Sequence, residues 1–336
     1  MKPSVRIKLV LMRAGVLAVF GVAFGLSALL ASGAQAATAY ITNEKDNTVS
    51  AIDLDKLEVV KTAKVGQRPR GIIMSADGKE VYVCTSDDNR ITVLDAKTLE
   101  IKYYLPSGPD PELFILHPDG RTLYIANEDD NMVTVIDVID KEIIDEIPVG
   151  VEPEGMGMSP DGKILVNTSE TTNMAHFIDT DTHEIIDNVL VDTRPRVSIF
   201  DKDGKRVWIT SEVGGTLRIL DGKTHELIKK IKFEIPGIND ETIQPVGVRL
   251  TSDGKYGFVA LGPANRVAVV DAKTLEVIKY ILVGQRVWQL ALTPDEKLMV
   301  STNGVSNDVT IIDVKKLKAI KSIKVGRFPW GVVIQP

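Results

Sequence analysis

The stretch LYIANEDDNMVTVIDVIDKEIIDEIPVGVEPEGMGMSPDG, residues 123–162, decides the fold. LYIAN and MVTVID are short, mainly apolar runs parted by the turn EDDN. Such runs, rich in β-branched residues, with apolar residues recurring at a period of two along the unit and turn signals every eight to twelve residues, read as short antiparallel strands rather than helix. EIIDEIPVG continues the pattern, and Asp-Gly at 161–162 closes the stretch.

The pattern repeats. The aspartate that ends MVTVID, Asp137, is one of a series, Asp53, Asp95, Asp137, Asp179, Asp221, Asp271 and Asp313, in steps of 42, 42, 42, 42, 50 and 42. The Asp-Gly turn recurs at Asp77, Asp119, Asp161, Asp203 and Asp253 and becomes Asp295-Glu296 in the next unit. Four short strands in about 40–45 residues, repeated in tandem, are the signature of a propeller blade. The expected fold is all-β, a single seven-bladed, WD40-like β-propeller of four-stranded antiparallel blades over residues 37–336.

The ends of the chain fit a closed ring. AYITN at 39–43 matches the second strand of a unit and WGVVIQP at 330–336 matches the first. One blade should take its inner strand from 330–335 and its other three from 39–65, which removes the open edge that invites aggregation.

Ahead of the repeats, MKPSVRIKLVLMR carries four basic and no acidic residues, and an apolar run from Ala14 to Ala31 leads to Ala34-Gln35-Ala36. This is the pattern of a secretory signal, residues 1–36, cleaved after Ala36, with retention as an anchor as the alternative. The mature protein is then expected in the periplasm, free of the membrane. Cleavage moves the formal net charge from −6 to −10. So acidic a chain repels phosphate backbones, which argues against nucleic acid as a partner. Cys84, the single cysteine, can form no internal disulfide, and its setting in VYVCT reads as a buried strand position.

One link, from the outer strand of a unit to the inner strand of the next, keeps a proline at 69, 111, 153, 195, 245 and 329, with Val287 as the exception, while its neighbours diverge. The flanking pairs are Arg68 and Arg70, Asp110 and Glu112, Glu152 and Glu154, Arg194 and Arg196, Gln244 and Val246, Arg286 and Trp288, and Phe328 and Trp330. These links should sit beside the central channel, on the same face as the turns NEKDN, SDDN and NEDDN. Acids on neighbouring blades, arginines beside them and aromatics opposite suggest a functional mouth, although loops on a solvated rim also drift. The acids could offer oxygens to Ca²⁺, yet the spacing is not that of a calcium loop, and neighbouring arginines would neutralise them. The fifth unit's eight-residue insertion, within FEIPGINDETIQPVG, falls on the same face, where a lid or partner contact would be expected.

No catalytic constellation emerges from the histidines. His117, His183 and His225 belong to turns expected on the opposite face, His176 lies in a strand, and Gly-x-Ser-x-Gly does not occur. The hydrolytic chemistry the slot allows is a carboxylate base such as Glu154, with Arg196 to stabilise an oxyanion.

AYITN, VYVCTS and LYIAN, followed by DNTVSAID, NRITVLD and NMVTVID, resemble the YVTN family of β-propeller repeats. With GQRPRG, SGPDPELF, VGVEPEGM, NTSETTNMAHFID and VGQRVWQLALTPDEK the chain is similar to exported propellers associated with catabolism dependent on pyrroloquinoline quinone (PQQ). The resemblance implies an accessory protein beside a PQQ-dependent alcohol dehydrogenase or a periplasmic cytochrome. On that reading the protein is non-catalytic, and Arg68, Arg70, Asp110, Glu112, Glu152, Glu154, Arg194, Arg196, Arg286, Trp288, Phe328 and Trp330 bind such a partner or a small anionic ligand. PQQ, a planar tricarboxylate, would suit the arginines and aromatics. The alternative is a propeller hydrolase of lactonase type with a carboxylate base at the channel mouth.

Overall fold

The structure, a computed structural model, describes Met1 and residues 37–335; the rest of the expected signal segment, 2–36, and Pro336 lie outside the described residues. The described strands form seven four-stranded antiparallel sheets. Six use strands consecutive in sequence, and the seventh joins Pro329–Ile334 to Thr38–Asn43, Thr48–Asp53 and Glu58–Lys64. The ring thus closes as the chain ends require, with Tyr40 opposite Val333 and Ile41 opposite Val332. We number this closing blade 1 and the others 2 to 7 along the chain.

The periodic aspartates are turn formers. Asp137 accepts from the backbone N–H groups of Ile139 and Asp140 at 2.8 and 3.0 Å, and Asp53 does the same for Asp55 and Lys56 at 3.0 and 2.9 Å. A side-chain carboxylate that satisfies two turn amides explains why this residue repeats while its neighbours vary.

The core lies between blades. Each pair of neighbouring blades shares one apolar cluster, such as Tyr40 and Val49 with Val81 and Leu94 between blades 1 and 2. Cys84 belongs to the cluster between blades 2 and 3, where burial pushes its thiol well above the usual range. The insertion of blade 6 is anchored in the same manner: Phe233 and Ile243 are buried among Trp208, Val248 and Val259. Its middle folds into a short turn at Asp240–Thr242, and the inner strand that follows shortens to Val248–Leu250.

Candidate functional site at the channel mouth

Two repeated devices aim side chains at the mouth. The first slot residue adopts a left-handed conformation in six blades, with φ of 49° at Arg68, 50° at Asp110, 58° at Glu152 and Arg194, 57° at Arg286 and 53° at Phe328. Its N–H donates to an asparagine twenty-one residues earlier, as from Glu152 to Asn131 Oδ1 at 3.1 Å and from Arg286 to Asn265 Oδ1 at 2.8 Å. These are the asparagines that end turns such as NEDDN, so they brace the next blade. In blade 5 that position is Gly215, and the slot after it, at Gln244, departs from the pattern.

The second device is a bulge after the proline. Pro153 pairs with Ser169 and Gly155 with Thr168, which leaves Glu154 without an opposite residue. Bulges re-aim side chains, and this one frees Glu154 from the ladder. Gly155 permits the arrangement, because a Cβ there would meet the Arg196 carbonyl at 1.8 Å.

The acids and arginines are paired with each other. Arg196, 3% exposed, reaches Glu154 at 2.9 Å, also contacts Glu170, and has Glu212 at 3.6 Å. Arg194 meets Glu170 at 2.6 Å, and Arg286 meets Glu212 at 2.5 Å and donates to Gln244 at 2.8 Å. Burial would raise the Glu212 carboxyl, but Arg196, Arg286 and Arg194 together hold it below its ordinary value. On the other side of the mouth Arg68 holds Asp110 and reaches Glu112 at 2.6 Å, while Arg70 lies 3.3 Å from Glu112 and 3.6 Å from Glu44.

The aromatics are not free platforms. Trp330 is fully buried, with the Arg70 guanidinium 5.1 Å from its ring centre. Trp288 carries Arg286 at 3.9 Å and lies 6.3 Å from Trp330. Two of the sequence-predicted residues stand apart from the network: Glu152 takes a hydrogen bond from Thr171, and Phe328 is half-buried beside Gly304.

Glu44, Glu128, Glu170 and Glu212 join the site without having been singled out from the sequence. All four follow the last residue of a second strand, at equivalent positions of the repeat, which is a signal the sequence carries. Their backbone N–H groups donate to the slot carbonyls, as from Glu170 to Glu152 at 2.8 Å and from Glu128 to Asp110 at 3.0 Å. Glu128 is the hub. It belongs to two acidic triads, with Asp110 and Glu112 and with Glu154 and Glu170, each with ligand oxygens within 4.8 Å of one another. Burial, then repulsion by Glu154 and Asp110, raises its pKa to about 7 against the pull of Arg70 and Arg196. Either triad could offer three oxygens to a cation, but a hard cation such as Ca²⁺ takes about six to eight, and arginines already compensate Asp110, Glu112, Glu154 and Glu170.

The histidines form no site with these residues. His176 is buried in Met174–Asp179 with Nε2 accepting from the Gly150 N–H at 2.9 Å, and burial lowers its pKa. His183 and His225 pair with Asp145 and Asp187 at 2.6 and 2.7 Å. A cavity of about 900 Å³ is elsewhere too, among Asp-Gly-type turns that include Asp253 and Asp295.

A model of choice-of-anchor I domains matches residues 130–325, more than half of the chain. The chain belongs to the choice-of-anchor I domain family. A model of lactonases with a seven-bladed β-propeller matches residues 30–143, overlapping the start of the choice-of-anchor I match. No curated protein matches the sequence.

Among solved structures, hydrazine synthase of Kuenenia stuttgartiensis is similar at 22% identity over 82% of this chain and 92% of that one, with a TM-score of 0.74. A candidate 6-phosphogluconolactonase of Bacteroides fragilis is similar at 20% identity over 90% and 99% of the two chains, with a TM-score of 0.76. Another from Bacteroides uniformis shows 17% identity over 89% and 99%, also with a TM-score of 0.76. At these identities the likeness is one of fold.

The findings correct the expectation of a non-catalytic accessory of PQQ-dependent alcohol oxidation. The match to the lactonase family model over residues 30–143 favours the hydrolytic alternative instead. The geometry supplies a physical reason: Arg194, Arg196 and Arg286 are already engaged with Glu154, Glu170 and Glu212, and Arg70 and Arg286 lie over the two tryptophans assigned to a planar polyanion.

Proposed function

We propose that the protein is an exported hydrolase of lactonase type whose general base is Glu128. The observation that carries this is the Glu128 carboxyl, raised to about 7 and with 21% of its side chain exposed, beside Arg68 Nη2 at 3.8 Å. A base with a pKa near the working pH is the efficient choice for moving a proton. Glu154, the base considered from sequence, is 1% exposed and closed off by Arg196, so it serves better as a fixed charge that tunes Glu128. The lactonase match supports the reaction class.

In the proposed reaction, ionised Glu128 takes a proton from water as the water oxygen attacks the lactone carbonyl. The carbonyl π electrons move to oxygen, and the resulting oxyanion lies against the Arg68 guanidinium. Collapse re-forms the carbonyl and breaks the ring C–O bond, and the departing ring oxygen takes the proton back from Glu128. The product is the open hydroxy acid, which ionises in water. Export to the periplasm, expected from the N-terminal segment, is part of the proposal.

The test is a pH-indicator assay of the purified protein against γ- and δ-lactones, including sugar lactones. Turnover that falls by about 10²–10⁴-fold in Glu128→Gln is expected. Absence of lactone hydrolysis by the wild-type protein, or unchanged rates in the variant, would overturn the reading.

A further inference from the structure

A second group of polar side chains lies deeper in the ring. The fourth residue from the slot along each inner strand is Ile73, Ile115, Gly157, Ile199, Arg249, Ala291 or Val333, so blade 6 alone places a charge where the others are apolar. Arg249 lines a cavity of about 220 Å³ to which six of the seven blades contribute, which puts it on the ring axis. Its walls are apolar, with Leu113, Ile115, Met156, Met158 and Ile199 among them.

Arg249 has no carboxylate within ion-pair reach among the described residues, and its Nη1 donates to the neighbouring Val248 carbonyl at 2.7 Å. Burial alone brings its pKa down to about 10, while part of its surface stays accessible at the cavity wall. Gln289 lines the same cavity, is 4% exposed, and has an Nε2 without a hydrogen-bond partner. Its Oε1 lies 3.0 Å from where a Cβ on Gly247 would stand, which sets the amide against the strand that carries Arg249. A half-buried cation without a counterion and a buried donor without an acceptor are both costly, and one anion would relieve both.

We infer that the central channel holds a binding site for a small aliphatic carboxylate, its head group on Arg249 and Gln289 and its chain against the isoleucine and methionine walls. Arginine's fork suits a carboxylate, and a cavity of about 220 Å³ holds roughly seven water volumes. That is room for about six to eight heavy atoms, a four- to six-carbon acid. The site is separate from Glu128 and its occupancy does not depend on hydrolysis at the mouth.

Calorimetric titration and thermal unfolding of the purified protein with butyrate, butyramide, chloride and phosphate test it. Saturable butyrate binding that raises Tm is expected, with the neutral amide and the inorganic anions at least tenfold weaker. Arg249→Met should lower butyrate affinity at least tenfold while leaving Tm without ligand unchanged or higher, since an uncompensated charge is removed. Gln289→Leu should weaken binding less, and Arg249→Lys, which keeps the charge but loses the fork, serves if the methionine variant does not fold. No butyrate binding, binding no stronger than that of phosphate, or affinity indifferent to both Arg249 variants would overturn the inference.

Discussion

Glu154 Oε1 and Arg196 Nη2 meet at 2.9 Å, and neither side chain keeps more than 4% of its surface exposed. A pair this deep is sensitive to the loss of one partner. Arg196→Met leaves Glu154 and Glu170 buried with less compensation, and such losses cost about 3–5 kcal/mol. The expected outcome is a Tm lowered by about 10 °C, read by calorimetry. An unchanged Tm would show that the pair adds nothing to the ring.

Glu154 and Glu128 should separate in kinetics. Repulsion by Glu154 helps raise Glu128, so Glu154→Gln should retain turnover and move the rising limb of kcat/KM below its expected midpoint near pH 7. Glu128→Gln should instead remove that limb together with turnover. If Glu154→Gln abolishes hydrolysis and Glu128→Gln does not, the roles are reversed.

The same carboxyl makes stability depend on pH. Its folded pKa of about 7 lies above the unfolded value of about 4.3, so the folded state binds the proton more tightly between them. Its contribution is fully present below about pH 4.3 and is lost as pH rises through 7. Partial exposure reduces the size, not the sign. Urea midpoints at pH 5 and 8 should therefore differ more in the wild-type protein than in Glu128→Gln.

The blades were legible because their signals are local. Asp137 is required by two amides within three residues of it, and the apolar, β-branched run of MVTVID needs no knowledge of its partner strand. The slot was legible as a place, because its proline and its left-handed neighbour recur. What the slot does was not. Whether Arg196 is free for a ligand depends on Glu170 and Glu212, on turns of blades 4 and 5, and the state of Glu128 depends on burial and on Asp110 and Glu154 across the mouth. Through-space charge of this kind has no sequence spacing. The asparagines that end the turns illustrate the same limit, since nothing in the turn itself says that Asn131 accepts from the Glu152 N–H of the next blade.

Those asparagines give a stability prediction of their own. Asn131 has φ 62° and accepts from the Glu152 N–H at 3.1 Å. Glycine keeps the conformation and loses the acceptor, so Asn131→Gly should cost about 1 kcal/mol. Alanine loses both, which adds about 1–2 kcal/mol of left-handed strain. Urea denaturation should rank wild type above glycine above alanine, and equal values for the two variants would remove backbone strain from the account.

Ring closure is the last point to test. Pro329–Ile334 pairs with Thr38–Asn43, and its Val332 and Ile334 share a cluster with Ile41, Val300 and Val309 between blades 7 and 1. A chain stopped at residue 328 would leave Thr38–Asn43 with an unpaired edge and would open that cluster to water. Exposed strand edges template association, so the truncated protein should elute as oligomers or aggregate and lose a single cooperative unfolding transition. The same strand carries Trp330 against Arg70, so the mouth should fail along with the ring. A monomeric truncated protein with the parent Tm would mean that closure contributes nothing to stability, and that three strands are enough to complete blade 1.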